Sequence, residues 1–328
     1  MILSKTPYRI SLFGGGTDLD DWLKKNEALI ISFAINKNCN LVFKTLPSFF
    51  SHKSRFVYSK TELVNSHKNI KHPSIRKCIE YFNIKEGIEL IHQGDLPAGS
   101  GVGSSSSFTV CLISLFNYYK KLNLSKKEIA KIAIFIEQKM IKEKVGVQDQ
   151  IISTYGGLNK ININKNKDFK IKPIKLEKKQ IVEFEKSMLL IFSGTQRNSS
   201  QIQNSINYSY KENQSILSSI NNLAHQSEKY FSKKNFNIEK IGSLVEESWN
   251  LKKNLSKEIQ NKEIEIIINI AKKIGIYGSK LIGAGGGGFV LLIFPNSKRK
   301  KIIETFHNKK YQVIEFKINN TGTKIFDI

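Results

Sequence analysis

Residues 97–110 read PAGSGVGSSSSFTV, and no other stretch restricts the fold as much. Gly99, Gly101 and Gly103 alternate with small residues, and the serines Ser104–Ser107 then run into an apolar segment. None of these residues builds a core. Glycine permits left-handed backbone and close approach, so the stretch is a backbone device. GIELIHQG before it has the composition of a strand, and SFTVCLISLF after it that of a buried helix. The spacing predicts a helix over about 104–122. A flexible linker does not run directly into such a helix. The free N–H groups at a helix start attract anions. Those of Gly101 to Ser105 are placed to cradle a polyphosphate through the helix dipole and a nest-like turn.

Two familiar phosphate loops are excluded. A Walker loop needs G-x-x-x-x-G-K-[ST], and no Gly-Lys pair occurs in the chain. Gly283, Gly285 and Gly288 satisfy G-x-G-x-x-G, but they lead into the apolar run FVLLIF, which reads as a strand. The dinucleotide fingerprint needs a strand, a turn and a helix.

The rest of the chain bounds the answer. Its 328 residues suffice for one large domain or two ordinary ones. The N-terminal MILSKTPYRISLF lacks the pattern of a signal peptide, and no apolar run approaches the ~20 residues of a membrane span. Cys39, Cys78 and Cys111 are scattered and odd in number, which points to reduced thiols in a cytoplasm and to no metal site. The net charge of +24 comes mostly from lysine spread through the chain and mixed with Asn and Ile. Basic, aromatic-rich strands of an RNA-binding type are absent. Solvated lysines and a small anionic substrate account for the charge better than a nucleic acid does.

Strands are expected at TPYRISLF, ALIISFAI, NLVFKTL and GIELIHQG, with helices at SIRKCIEYFNI and at SKKEIAKIAIFIEQKMI, which carries a serine cap. A lysine-rich, hairpin-like stretch from LNKIN to KIKPI follows VGVQDQIISTYGGL. A boundary is expected near 175–187. Beyond it come a strand at SMLLIFSG, two or three long helices over roughly 199–274, the strand–turn–strand KLIGAGGGGFVLLIF, a helix at NSKRKKIIETFHN and a last strand at YQVIEFKI. That order suggests an α+β sandwich of the ferredoxin-like kind.

Residues 97–105 fit P-x-x-x-G-[LV]-G-S-S, which resembles the second motif of the GHMP kinases. TPYRISLFGGGTD is similar to their first motif and IGAGGGGFVLL to their third, in the same order and across essentially the whole chain. The resemblance implies an α+β, two-lobed fold. Its N-terminal lobe, over 1–180, resembles ribosomal protein S5 domain 2 and binds ATP. Its C-terminal lobe, over 181–328, is ferredoxin-like. It also implies an ATP-dependent kinase acting on an alcohol group, with Mg²⁺, in the cytoplasm. ATP and a sugar phosphate are the implied partners, without nucleic acid or membrane, and a homodimer is left open.

The resemblance assigns residues. Pro97, Gly99, Ser100, Gly101, Val102, Gly103, Ser104, Ser105 and Ser106 are the nucleotide loop. Asp149, in VGVQDQ, matches the segment carrying the catalytic aspartate, which takes the proton of the acceptor hydroxyl; Gly146, Gln148 and Gln150 fit the same pattern. Arg9 matches an arginine facing the transferring phosphoryl group. Glu137, with Glu143 as its rival, is the implied Mg²⁺ ligand opposite Ser104, Ser105 being second; one carboxylate and one hydroxyl suffice for Mg²⁺ among phosphates and water. Gly15, Gly16, Thr17 and Asp18 fall at the sugar-binding motif. Galactokinases have a Glu–His pair where Gly15 and Gly16 stand, which argues against galactose and leaves room for a larger sugar.

RISLFGGGTDL, VGVQDQ, SGTQRNSSQI, SWNLKKNLS and GSKLIGAGGGG together resemble the D-glycero-D-manno-heptose 7-phosphate kinase branch, with fucokinase-like domains as competitor. That branch implies phosphorylation of the anomeric hydroxyl to the 1,7-bisphosphate, towards GDP-heptose. Arg197 is the first candidate for the sugar's phosphate, ahead of Lys252 and Lys280. Gly285 and Gly286 are expected near the substrate, or else stabilising the nucleotide loop. A non-catalytic sugar or nucleotide sensor on the same fold is the alternative of a different class.

Overall fold

The computed structural model describes residues 1–194 and 210–328. The chain opens with β1 (Ile2–Phe13), the short α1 (Asp20–Leu23) and the long β2 (Ala28–Thr45). Next come β3 (Ser54–Val57), β4 (Thr61–Val64), α2 (Pro73–Tyr81) and β5 (Ile88–Gly94). Three helices follow, α3 (Ser104–Tyr119), α4 (Lys126–Phe135) and α5 (Gln148–Tyr155), then the hairpin β6 (Leu158–Ile163) and β7 (Phe169–Pro173). Helix α6 (Lys178–Lys186) leads into β8 (Met188–Phe192). The helices α7 (Tyr210–Ser227), α8 (Ile238–Lys252) and α9 (Lys262–Ile274) precede β9 (Gly278–Leu281) and β10 (Phe289–Ile293). Helix α10 (Arg299–Asn308), β11 (Val313–Ile314) and β12 (Lys324–Asp327) end it.

Two sheets result. The first has eight strands, with the path β12-β1-β2-β5-β3-β4 and the β6–β7 hairpin added on β2. β2 is its spine. β1 runs antiparallel along one edge, while β6 pairs with Ala28–Phe33 and β5 with Cys39–Thr45 on the other. The expected pair of strands is thus one. The polar Asn36-Lys37-Asn38 that seemed to divide them is absorbed as an irregularity, since Pro7 pairs with Asn38 and Arg9 already with Ala34. Such bulges bend a strand without ending it.

The second sheet is ordered β11-β8-β10-β9, all antiparallel. Numbered within this lobe, the order is 4-1-3-2, that of a ferredoxin-like sandwich. The expected last strand shrinks to Val313–Ile314. The chain then crosses to the first sheet, bridging Ile318 to Ile35 before β12 pairs with β1.

Helix α3 is buried from Ser106 through Phe116, as an almost uniformly apolar helix must be. Its Phe116 meets Phe43 of β2 edge-on, ring centroids 6.1 Å apart. This burial anchors the glycine loop at the helix's N-terminal end. Helix α4 starts with a reciprocal capping box between Ser125 and Glu128. It does not continue regularly: Ile136–Ile141 form a π turn, ended by Lys142 in left-handed conformation. Such turns are frequent at functional sites.

Candidate active site

A cleft opens where the end of β1, the loop before α3, the start of α5, the end of α8 and the glycine turn between β9 and β10 converge. Gly99, Gly101, Gly103 and Ser104 to Ser106 line it from the loop, and Gly15, Gly16 and Asp18 from the turn after β1. Gly146, Gln148 and Asp149, then Lys252, Lys280 and Gly285, complete the wall.

Arg9 and Asp149 face each other here. Arg9 Nε donates to Asp149 Oδ1 and Nη2 to Oδ2, each at 2.6 Å, the parallel fork that fixes a carboxylate in orientation. Arg9 Nη1 donates to the Gly101 carbonyl, so the same guanidinium braces the loop. The Arg9 backbone N–H adds a bond to Val102 O at 3.1 Å. Arg9 is nearly covered, at 6% side-chain exposure, while Asp149 keeps 21% and is open to a reactant.

Asp18 is buried beside them. Its carboxylate accepts from the N–H groups of Gly16 and Gln148, both at 3.2 Å, and from the Gln148 amide at 3.4 Å. Burial, then the nearby Asp149 charge, raises its pKa above the ordinary carboxylate value. Gly146 is required by this packing: a β-carbon there would lie 2.9 Å from Asp18 Oδ1 and closer still to Oδ2. Thr17 turns inward, its hydroxyl on Gly14 O at 2.8 Å.

The glycine turn presses on the loop backbone to backbone. A β-carbon on Gly283, whose φ is +81°, would stand 2.8 Å from Gly101 O and closer still to Gly101 Cα. One on Gly288 would stand 2.5 Å from the Ser100 carbonyl carbon. Phe289 N–H donates to Ser100 O at 3.1 Å. Gly286 bonds through its N–H to Ile259 O at 2.8 Å and does not line the cleft. Pro97, Ser100 and Val102 likewise serve the loop's shape: Ser100 Oγ donates to Pro97 O at 2.6 Å.

Glu137 stands in the π turn with no exposed surface. Its Oε2 accepts from Ser106 Oγ at 2.9 Å and Gln150 Nε2 at 2.5 Å, and its buried Oε1 makes no hydrogen bond among the described residues. Burial pushes its pKa up to about 7, against hydrogen bonds that lower it. The hydroxyl facing Glu137 is therefore that of Ser106, where Ser104 was expected. On a helix two residues differ by about 200° in direction, so Ser104 and Ser106 point apart. Ser104 Oγ accepts from Gly99 N–H at 3.3 Å.

Two lysines come from the second lobe. Lys280 is buried and donates to Leu12 O at 2.8 Å. Burial, then the charges of Lys252 and Arg9, drives its pKa well below the ordinary lysine value. Lys252 donates to Gly283 O. Removal from water, with the Arg9 charge, brings its pKa down to about 8. Arg197 lies outside the described residues.

Both ends of the chain match sequence profiles of one family: "GHMP kinases N terminal domain" over residues 70–157 and "GHMP kinases C terminal" over 229–313. The chain belongs to the GHMP kinases. It is, as they are, an ATP-dependent kinase. Among curated relatives, D-glycero-alpha-D-manno-heptose 7-phosphate kinase of Campylobacter jejuni is 26% identical over 100% of this chain and 99% of its own length. A mevalonate kinase of Methanocaldococcus jannaschii is 25% identical over 75% of each. Among solved structures, a D-glycero-D-manno-heptose 1-phosphate kinase from Bacteroides thetaiotaomicron superposes with a TM-score of 0.80 at 21% identity, covering 100% of this chain and 99% of that one. Lactococcus lactis galactokinase complexed with galactose gives 0.75 at 16%, covering 100% and 95%. Among the described residues, no helix of this GHMP kinase is long and apolar enough to cross a membrane.

The pairing of Ser106 and Gln150 with Glu137 was missed from sequence, although Gln150 already stood out in VGVQDQ. The helical phase of the serine run is the signal that finds Ser106. The grip of Lys280 on Leu12 was not foreseen either; a lone lysine in an apolar strand was its only trace.

Proposed function

We infer that this GHMP kinase transfers the γ-phosphoryl group of ATP to the anomeric hydroxyl of D-glycero-D-manno-heptose 7-phosphate, giving the 1,7-bisphosphate on a route towards GDP-heptose. The observation that carries the chemistry is Asp149, held by the Arg9 fork and open to the cleft beneath the glycine–serine loop. The acceptor's identity is supported by the full-length relative and by Gly15 and Gly16, which line the cleft without side chains beside Asp18.

In this reading the loop N–H groups at the α3 start hold the ATP phosphates. Asp149 takes the proton of the acceptor hydroxyl as the oxygen attacks, and Arg9 keeps the carboxylate aimed. Asp18, with its raised affinity for a proton, meets a sugar hydroxyl. Ser106 and Glu137 suit Mg²⁺: a hydroxyl and a carboxylate are hard oxygen donors, and among the described residues the buried Oε1 of Glu137 makes no hydrogen bond, although the Thr109 hydroxyl is close enough to lower its pKa. No cluster of three or more His, Cys, Asp or Glu occurs among the described residues, so phosphates and water would complete the ion's shell. When bound, Mg²⁺ neutralises charge on the phosphates. Arg197 remains our candidate for the sugar's own phosphate, in a protein that works in the cytoplasm.

A coupled assay across heptose 7-phosphate, heptose 1-phosphate, fucose, galactose and mevalonate tests the assignment. Turnover is expected with heptose 7-phosphate, and Arg197→Ala should raise KM for that acceptor alone. Good turnover of a neutral sugar with none of the phosphorylated heptose would overturn the substrate assignment. Asp149→Asn should abolish turnover of every acceptor; if cellular function survived that change, a sensor would be the better reading.

A further inference from the structure

The loop before α3 holds no lysine, yet a phosphoryl group in flight needs a cation near it. Among the described residues three cations line the cleft: Arg9, Lys252 and Lys280. Arg9 is occupied by the carboxylate of Asp149. Lys280 is buried and tied to Leu12 O. Lys252 differs. It ends α8, is half-buried, and spends one donor on Gly283 O. Among the described residues no carboxylate lies in ion-pair range of it. An ammonium carries three donors, so Lys252 retains capacity for an anion.

Its position singles out which anion. Gly283 abuts Gly101, so Lys252 sits where the glycine turn meets the phosphate loop. The charges it feels are those of Arg9, Asp18 and Asp149, with Lys280 beyond. It therefore lines the same cleft as the loop and as the carboxylate that meets the acceptor.

We propose that Lys252 is a catalytic residue, whose ammonium binds the transferring phosphoryl group and supplies from the second lobe the charge that the loop's sequence omits. The proposal rests on Asp149 as the proton acceptor. The acceptor oxygen forms a bond to the γ-phosphorus as the bond from that phosphorus to the β–γ bridging oxygen breaks. The electron pair leaves with ADP, the hydroxyl proton passes to Asp149, and Lys252 gives up no proton. Because the cation comes from α8 and the loop from α3, the two lobes complete the site together.

The test uses Lys252→Met, Lys252→Gln and Lys252→Arg in the full chain, with the acceptor that the wild type turns over fastest. Loss of one such stabilising group costs roughly 10²–10³ in kcat. We expect that loss in Lys252→Met, with KM for the acceptor within about threefold of wild type. Lys252→Arg should recover part of it. ATP hydrolysis without acceptor should fall in parallel. Wild-type kcat/KM for ATP should decline as pH rises through about 8, where Lys252 of the free enzyme loses its proton, and Lys252→Arg should not decline there. Should the methionine variant fail to fold, Lys252→Gln, which can still donate to Gly283 O, decides. A kcat within about fivefold of wild type in a folded variant overturns the proposal. So does a loss confined to KM for a phosphorylated acceptor, which would make Lys252 a grip on the sugar's phosphate. Wild-type preference for a neutral sugar overturns the heptose assignment alone and leaves this test standing.

Discussion

Replacing Gly283 with alanine tests whether the third glycine motif acts by holding the nucleotide loop. The new β-carbon would stand 2.8 Å from Gly101 O and closer to Gly101 Cα, backbone atoms that cannot rotate away. An L-residue at φ +81° costs about 1–2 kcal/mol. Forcing two packed segments apart costs about 1–3 kcal/mol more. Gly275→Ala separates the two contributions, because its φ is +91° and nothing lies within 4 Å of its β-carbon position. Gly275→Ala should lose only the conformational part. Gly283→Ala should unfold several degrees lower than that control, since each kcal/mol is worth roughly 2–4 °C in a chain of comparable size. If half the contact cost moves the loop, about 1 kcal/mol, KM for ATP rises roughly fivefold. Thermal unfolding and ATP titration at saturating acceptor measure both. Equal melting of the two variants, with wild-type KM for ATP in Gly283→Ala, would refute the idea that this turn positions the loop.

Asp149→Ala should destabilise by about 3–5 kcal/mol, because Arg9 is left covered and unpaired; denaturant unfolding reads it, and Asp149→Asn should lose less stability while losing activity. Glu137 ties stability to pH. Its folded pKa of about 7 exceeds the ordinary 4.5, so its contribution is present below pH 4.5 and is lost by about pH 7. The loss is roughly 3 kcal/mol at about 1.4 kcal/mol per unit, and Glu137→Gln should flatten unfolding free energy across that window. Lys280 works oppositely: its folded pKa lies below the ordinary 10.5, so its contribution grows as pH climbs towards 10.5, and Lys280→Met should be the more stable at pH 7. An unchanged melting point in Lys280→Met would count against that burial cost.

Much of this was legible beforehand. The glycine–serine loop, the buried helix behind it and the three motifs carry strong local signals; the fork between Arg9 and Asp149, 140 residues apart, came only from the structure. What escaped had no local signal. β3 and β4 are four residues each, with mixed polar composition, and become strands only by pairing with each other and with β5. The polar Asn36-Lys37-Asn38 interrupts the apolar pattern, so two strands were expected; β1 overrides the break by pairing on both sides of it. The π turn changes a helix's register by one residue, which periodicity over a short window does not register. The serine facing Glu137 is Ser106 and not the expected Ser104, because the motif gives serines in sequence order while the helix distributes them around an axis.

The strand that closes the free edge of β1 is β12, so the strand bearing Arg9 gains its last neighbour only after the entire second sheet has been made. During synthesis β1 and β2 can pair early, yet the outer edge of β1 stays open while every later helix and the entire second sheet appear. An open edge is a template for pairing with other chains. Lys5 on β1 and Lys324 on β12 face each other across that seam, and their like charges disfavour premature association there. Loss of Lys324–Asp327 should therefore show first as aggregation during expression, before any effect on the chemistry of the cleft.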